Sequence, residues 1–187
     1  NMDAELKNRI IGEAYFLRGW AYFQLVQLYG GVPIRTASLS ASNPETNVPR
    51  ATVKQSYEQV IIDLKQAETM LFPLGDARSG EAGRVNQGVA KAFLAKAYLT
   101  MASGSLTNAN ISVRGGTDNG VYTYPKAVVA GLEGLDSKAY YTLARDKALE
   151  VINSNLYVLT PSWKDLWSIA GRNNKEQMWQ LQSLAGT

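Results

Sequence analysis

The sequence predicts a mostly α-helical protein, a tetratricopeptide-like scaffold of helical repeats with long loops and little strand. Apolar residues recur at steps of three and four along four long segments, which is the spacing of one helix face. Weak internal repetition is also visible, because Leu17-Arg18 followed by Ala21-Tyr22 resembles Phe93-Leu94 followed by Ala97-Tyr98. Internal similarity of this kind is typical of paired-helix repeats, although the linkers here are too uneven for a regular array.

The composition excludes several kinds of chemistry. The 187 residues include no cysteine and no histidine, which excludes Cys/His zinc sites, thiol nucleophiles and Ser-His-Asp triads. The net charge is +3 without any dense cluster of basic residues, so nucleic acid is not an expected partner. No apolar run reaches the roughly 18 residues of a membrane span. We expect residues 1–187 to be part of one packed domain.

The first predicted helix covers residues 3–29 and ends at Gly30-Gly31, with Pro33 just beyond. Three apolar rows run along it, so we expect it to be buried on several sides. Arg18 lies within one of these rows. We expect Arg18 to bind a carboxylate or backbone carbonyls and so lock two helices together, with a ligand contact as the less favoured alternative. Glycine costs roughly 1 kcal/mol relative to alanine within a helix, so Gly19 indicates close packing of a neighbouring helix.

Three further long helices are predicted. The second covers residues 53–71, begins with a capping box formed by Thr52 and Gln55, and carries one narrow apolar stripe. The third covers residues 87–102 and follows Asn86, a favourable N-cap residue. The fourth covers residues 138–154.

The remaining segments are shorter or irregular. Residues 105–136 contain five glycines and are predicted to form a long loop, of a length that is often functional. A short helix is predicted at 163–168 and a strand at 176–183. A single strand leaves its backbone groups unpaired. We therefore expect its partner strand to lie outside this chain or in a segment that the sequence predicts poorly. In the first case the chain would be part of a longer protein.

Residues 13–34 carry the most specific pattern in the sequence, E-A-Y-F-L-R-G-W-A-Y-F-Q-L-V-Q-L-Y-G-G-V-P-I. This order is similar to the signature of the SusD/RagB family, in which alanine is usual at the position of Gly19. Three later segments agree with the family in type and order, at residues 84–99, 144–159 and 173–182. The structural signature residues are Arg18, Tyr22, Tyr29, Gly30 and Pro33.

The resemblance implies a binding protein and not an enzyme. SusD/RagB proteins are lipid-anchored on the cell surface at the outer membrane of Bacteroidetes-type bacteria, where they bind oligosaccharides or similar nutrients. The resemblance also implies a TonB-dependent, SusC-like transporter as partner, no cofactor, no metal and a lipid anchor outside this chain. The alternative function is a helical-repeat adaptor that binds a protein or a peptide without catalysis.

Four aromatic residues are the candidate ligand-binding residues, because aromatic faces stack on the apolar C–H faces of sugar rings. Tyr122 and Tyr124 lie in the long loop, where we expect exposure. Trp163 and Trp167 share a short helix, and aromatics at helical spacing belong more often to the core. Polar residues near the two tryptophans in sequence are Arg172, Asn173 and Asn174. A glycosidase is least favoured, because the acidic residues are scattered along helices and show no converging pair.

Overall fold

The computed structural model describes residues 2–40, 47–115, 117 and 120–180. Its elements in chain order are α1 (Ala4–Tyr29), α2 (Val53–Met70), a 3-10 helix (Ala77–Ser79), α3 (Gln87–Ser105), β1 (Asn110–Gly115), β2 (Gly120–Pro125), α4 (Ser137–Asn153) and α5 (Trp163–Leu166). The mostly helical fold predicted from the sequence is confirmed, and the four long helices end within three residues of their predicted bounds. No helix in the described part of the chain is long and apolar enough to cross a membrane.

The four long helices pack in chain order, α1 against α2, α2 against α3 and α3 against α4. Their facing sides form the hydrophobic core, whose largest fully buried side chains include Phe16, Phe23, Leu64, Leu94 and Met101. Complete burial of one such side chain contributes about 1.5–3 kcal/mol. At the edge of the stack, Lys147 lies 2.9 Å from Glu68 and so joins α4 to α2.

The sequence predicted that α1 is buried on several sides, and in the structure one side of the helix is exposed. Two of its three apolar rows face the core, but the third is exposed because no described helix packs against that side. We call this third row the α1 outer row, and it consists of Ile10, Ala14, Leu17, Leu25 and Leu28.

Two glycines allow α1 and α2 to approach closely. A Cβ atom added at Gly12 would lie 2.9 Å from the Cβ of Met70, and one added at Gly19 would lie 3.1 Å from the Cβ of Asp63. Both distances are shorter than ordinary van der Waals contact between carbon atoms. The close helix packing predicted at Gly19 is therefore confirmed.

The sequence had predicted one long loop at residues 105–136, and this prediction is wrong because the segment contains two strands. Strands β1 and β2 form an antiparallel hairpin in which Ile111 pairs with Tyr124 and Val113 with Tyr122. β-Branched and aromatic residues favour strands, and the glycines at 115 and 120 mark strand ends at the turn. The prediction assigned all five glycines to one loop and therefore overlooked the two strands that meet the turn at Gly115 and Gly120.

The strand predicted at 176–183 is absent from residues 176–180, and residues 181–183 lie outside the described part of the chain. The side chain of Asn174 accepts hydrogen bonds from the backbone amides of Glu176 and Gln177. The amide of Met178 donates to the carbonyl of Glu176 at 2.9 Å. These local turn bonds occupy backbone groups that a strand would present to a neighbour.

Candidate functional site

Arg18 joins α1 to α2 and to the chain that follows α1. Its guanidinium forms two hydrogen bonds with the carboxylate of Asp63, at 2.7 and 2.8 Å, and a third with the carbonyl of Thr36 at 3.1 Å. Asp63 is fully buried and also accepts a hydrogen bond from Gln59. The hydrogen bonds with Asp63 raise the pKa of Arg18. The contacts match the structural alternative for Arg18, since both a carboxylate and a carbonyl are bound.

The other signature residues shape the corner after α1. The amide of Arg35 donates to the hydroxyl of Tyr22 at 2.6 Å, which fixes the chain beyond Pro33. Gly30 adopts a φ of 72°, a conformation that favours glycine. The guanidinium of Arg50 donates to the carbonyls of Tyr29 and Gly31 and so satisfies the end of α1. These signature residues have structural roles at this corner.

Tyr122 and Tyr124 lie on one face of the hairpin, together with Ile111 and Val113. All four side chains are exposed. No Cα atom in either strand lies within 8 Å of a Cα atom in a described helix. The tyrosines are therefore accessible, as predicted, but the hairpin stands apart from the two tryptophans.

Trp163 and Trp167 are exposed by 76% and 67%, so they do not belong to the core. Their ring centroids are 5.7 Å apart and the ring planes are inclined by 64°. Between them in sequence, the buried Leu166 anchors α5, and its carbonyl accepts a hydrogen bond from Gln177 at 2.6 Å. We call this exposed pair, held on an anchored helix, the tryptophan platform.

A cleft and a cavity adjoin the tryptophan platform. The cleft has a volume of about 180 Å³ and is lined by Trp167, Arg172, Gln177 and Gln180, among others. The cavity has a volume of about 420 Å³, within the usual range for small-molecule sites. Gln177 and Gln180 line both spaces, so the cleft beside Trp167 adjoins the cavity.

The floor of the cavity is fixed by a partly buried hydrogen bond. The hydroxyl of Tyr157 donates to the side-chain oxygen of Asn86 at 2.5 Å, and the same oxygen caps α3 through the amide of Val89. Burial raises the pKa of Tyr157 to about 12. Gly88 makes room for this ring, because a Cβ atom there would lie 2.2 Å from the tyrosine oxygen.

One wall of the cavity is the turn at residues 74–84, which arginines hold in place. Arg84 forms two hydrogen bonds with Glu13 of α1, at 2.7 and 2.9 Å. Arg78 bridges Asp76 and Glu5. Hydrogen bonds from the side chain and the backbone of Arg78 lower the pKa of Asp76 to about 2. The side chain of Asp76 at this wall is therefore an ionised carboxylate.

Another wall is the segment 173–180, which brings several amide side chains to the cavity. The side-chain nitrogen of Asn174 is buried and has no hydrogen-bond partner within the described part of the chain. Trp179, which the sequence had placed on a strand, packs edge-to-face against Phe16, Trp20 and Phe93. This packing holds the segment against the helix stack.

Sequence reasoning located the tryptophans and noted the neighbouring asparagines. It also indicated a turn at residues 75–83, but it assigned neither this turn nor Tyr157 to a binding site. These segments are far apart in the chain, and no pattern in the sequence predicts that they come together around one cavity. Among the described residues, no group of three or more acidic side chains could hold a metal ion. The site thus combines aromatic faces with amide and hydroxyl groups.

The comparison with known families agrees with this fold. Residues 1–99 match the SusD-like family, described as starch-binding and associating with the outer membrane. The match covers more than half of the chain, and the chain therefore belongs to the SusD-like family. This confirms the family resemblance of the first-helix signature.

Known relatives are considerably longer than this chain. The chain is 30% identical over 100 residues to SusD-like protein P2 of Formosa agariphila, which covers 54% of this chain and 19% of that protein. A SusD superfamily structure from Parabacteroides distasonis is 33% identical with a TM-score of 0.61, over 89% of this chain and 28% of that one. A laminarin-binding SusD-like protein is 23% identical with a TM-score of 0.66, over 95% of this chain and 31% of that one.

Proposed function

We propose that this chain forms part of a cell-surface protein that binds oligosaccharides without catalysis, and that the tryptophan platform with its adjoining cavity is the binding site. The observation that carries the proposal is the exposed pair of Trp163 and Trp167, because Trp167 lines the cleft that meets the cavity at Gln177 and Gln180. Indole faces stack on sugar rings, while amides bond to sugar hydroxyls.

The relatives support a carbohydrate as the ligand class. The family is described as starch-binding, and one structural neighbour is described as laminarin-binding. Both ligands are glucans, and both expose the alternating apolar and hydroxylated surfaces of a pyranose ring. A platform of two indoles beside an amide-lined cavity is suited to such a surface.

The carboxylates at the cavity favour binding over hydrolysis. A glycosidase needs one carboxyl group whose raised pKa keeps it protonated as a general acid. Asp76 has the opposite property, with its pKa lowered to about 2 by Arg78. The pKa of Glu81 is also lowered, first by a hydrogen bond from its own backbone and then by the charge of Arg84. Neither group is suited to donate a proton at neutral pH.

The proposed partner is a TonB-dependent, SusC-like transporter, and the proposed location is the outer surface of the outer membrane through a lipid anchor. The family description supports association with the outer membrane. The α1 outer row offers an apolar surface that no described helix covers. Exposed apolar rows of this length often mark protein interfaces, and we assign the transporter contact to this row.

The platform is tested by changing Trp163→Ala and Trp167→Ala together in the full-length protein. We expect affinity for laminari-oligosaccharides and other glycans found by array screening to fall more than tenfold, because two stacking faces are lost. The matched control is Ile152→Ala with Leu159→Ala, two side chains that are 65% and 81% exposed and that line neither the cleft nor the cavity. Equal affinity of the double tryptophan variant and the control by calorimetry would refute the platform as the site.

The hairpin offers a second candidate for the glycan site. Tyr122 and Tyr124 lie on the same exposed face and could stack on two sugar rings. If the hairpin were the site, replacing both with alanine would weaken glycan binding by more than tenfold. Unchanged titration curves for this variant would remove the tyrosines from the site and leave the platform.

The helical-repeat adaptor remains the alternative function, and the apolar face of the hairpin is the observation that favours it. Both strands expose apolar side chains and stand apart from the helices. An adaptor would retain a protein partner after loss of the tryptophan platform and would show no glycan affinity on an array.

A further inference from the structure

We propose that the oligosaccharide taken by the tryptophan platform is anionic, bearing uronate carboxylates or sulfate esters. This specificity rests on the glycan binding proposed above. It is carried by two cationic side chains. Arg172 lines the cleft together with Trp167, and Lys175 lines the adjoining cavity.

The two cations are available to a ligand. Both side chains are exposed, and neither has a carboxylate within 4.0 Å or a side-chain hydrogen bond in the part of the chain that the structure describes. Their backbones are nevertheless held. The amide of Arg172 donates to the carbonyl of Ile169 at 3.3 Å, and the carbonyl of Lys175 accepts from Val158 at 3.4 Å. The charges are thus positioned but not neutralised.

The carboxylates near the same surfaces are already engaged. Asp76 and Glu81 each form an ion pair with an arginine of the 74–84 turn, at 2.8 and 3.4 Å. Glu176 accepts a hydrogen bond from a backbone amide at 2.5 Å. On α5, Lys164 and Asp165 carry opposite charges. An anionic ligand would therefore meet Arg172 and Lys175 without having to break an ion pair.

Stacking on the tryptophans and pairing with the cations would have separate effects on glycan binding. Stacking on indole depends little on the charge of the sugar, so it supplies affinity for many glycans. A guanidinium forms paired, charge-assisted hydrogen bonds with a carboxylate or a sulfate, and an ammonium adds a point charge. Because exposed charges are screened by salt, the preference for an anionic ligand should weaken as ionic strength rises.

The test compares matched neutral and acidic probes on the full-length protein. Laminarihexaose, cellohexaose and maltohexaose are each used unmodified and after oxidation of their C6 hydroxyls to carboxylates. We expect at least one acidic probe to bind about tenfold more tightly than its neutral parent at low salt, the order of one charge-assisted hydrogen bond. Added sodium chloride should reduce this ratio, and Arg172→Gln with Lys175→Gln should bring it near unity.

The control variant is Lys65→Gln with Lys138→Gln, which removes the same charge from exposed lysines that lie outside the cleft and the cavity. It should retain the tenfold ratio. If neutral and acidic probes bind equally, the anionic specificity is wrong while glycan binding stands. If the control loses the ratio as fully as the test variant, long-range charge replaces Arg172 and Lys175 as the cause and the proposal fails. If no probe and no glycan on an array binds, both proposals fail together.

Discussion

Arg18 is expected to contribute to stability through the charge that it neutralises. Arg18→Met would leave the fully buried carboxylate of Asp63 with only the amide of Gln59 as a side-chain partner. Removing one member of a buried ion pair costs about 3 kcal/mol or more, and urea unfolding would measure it. The control is Arg145→Met, because the Arg145 pair with Asp146 is more than half exposed and should cost less than about 1 kcal/mol. Equal losses for the two variants would contradict the buried role of Arg18.

Tyr157 gives the folded chain a dependence on alkaline pH. Its pKa is about 12 in the folded chain, against 10.0 for an unperturbed tyrosine. Folding therefore favours the neutral phenol, so this stability is present below pH 10 and is lost as the pH rises towards 12. Tyr157→Phe should lose less stability across that range in urea unfolding at stepped pH. Tyr57 and Tyr140, whose pKa values burial also raises, would leave a residual slope. A variant slope equal to that of the unmodified chain would contradict the assignment.

At the scale of elements, the packing of α1 on α2 depends on small residues. Gly12→Ala would place a Cβ atom 2.9 Å from the Cβ of Met70, which lies next to the backbone and has little freedom to move. Overpacking costs about 1–3 kcal/mol, more than the roughly 1 kcal/mol that alanine gains in helix propensity. We expect lower thermal stability for this variant. Asn8→Ala, at an exposed position of the same helix, should instead be neutral or slightly stabilising.

The hairpin should be removable without loss of the helices. The amide of Lys126 donates to the carbonyl of Ala109 at 2.8 Å, so the two ends of the hairpin already lie side by side. Replacing residues 110–125 with an Asn-Gly turn should leave the helical circular dichroism and the melting temperature nearly unchanged. A large drop in melting temperature would show that the hairpin packs on the helices. The shortened chain would also test the tyrosine site, because it should keep glycan binding if the tryptophan platform is the site.

The helices could be predicted from the sequence because their signals are local. The capping box of Thr52 and Gln55 forms as expected, and Asn86 caps α3. The hairpin was missed because glycines that end strands resemble glycines that form loops. The turn after Asn174 was missed because its side chain satisfies backbone amides that a strand would otherwise present. In both cases hydrogen bonds of the backbone, which hydrophobic periodicity does not reveal, decide the structure.

At the scale of the whole molecule, the sequence predicted the tryptophan pair of the candidate site but not the cavity beside it. Spacing along α5 placed Trp163 and Trp167 together, but periodicity favoured the core for both. The structure exposes them because Leu166 takes the buried position on that short helix. The cavity was not predictable, because its floor and walls come from residues 74–86, from Tyr157 and from residues 173–180. Only tertiary packing brings these segments together.

The separation of the two surfaces leads to a prediction for the proposed complex with a transporter. Leu17 and Leu28 are 48% and 73% exposed on the α1 outer row, and neither lines the cleft or the cavity. Changing Leu17→Glu and Leu28→Glu should alter folding stability by less than about 0.5 kcal/mol each. Two charges in an apolar contact would nevertheless prevent association. In detergent-solubilised outer membranes, the full-length variant should no longer copurify with the transporter, while calorimetry shows unchanged glycan affinity.

Ile62→Glu, a 53% exposed position on α2, is the control and should retain the complex. Copurification of the double variant at the level of this control would place the transporter contact on another surface, for which the exposed face of the hairpin is the next candidate.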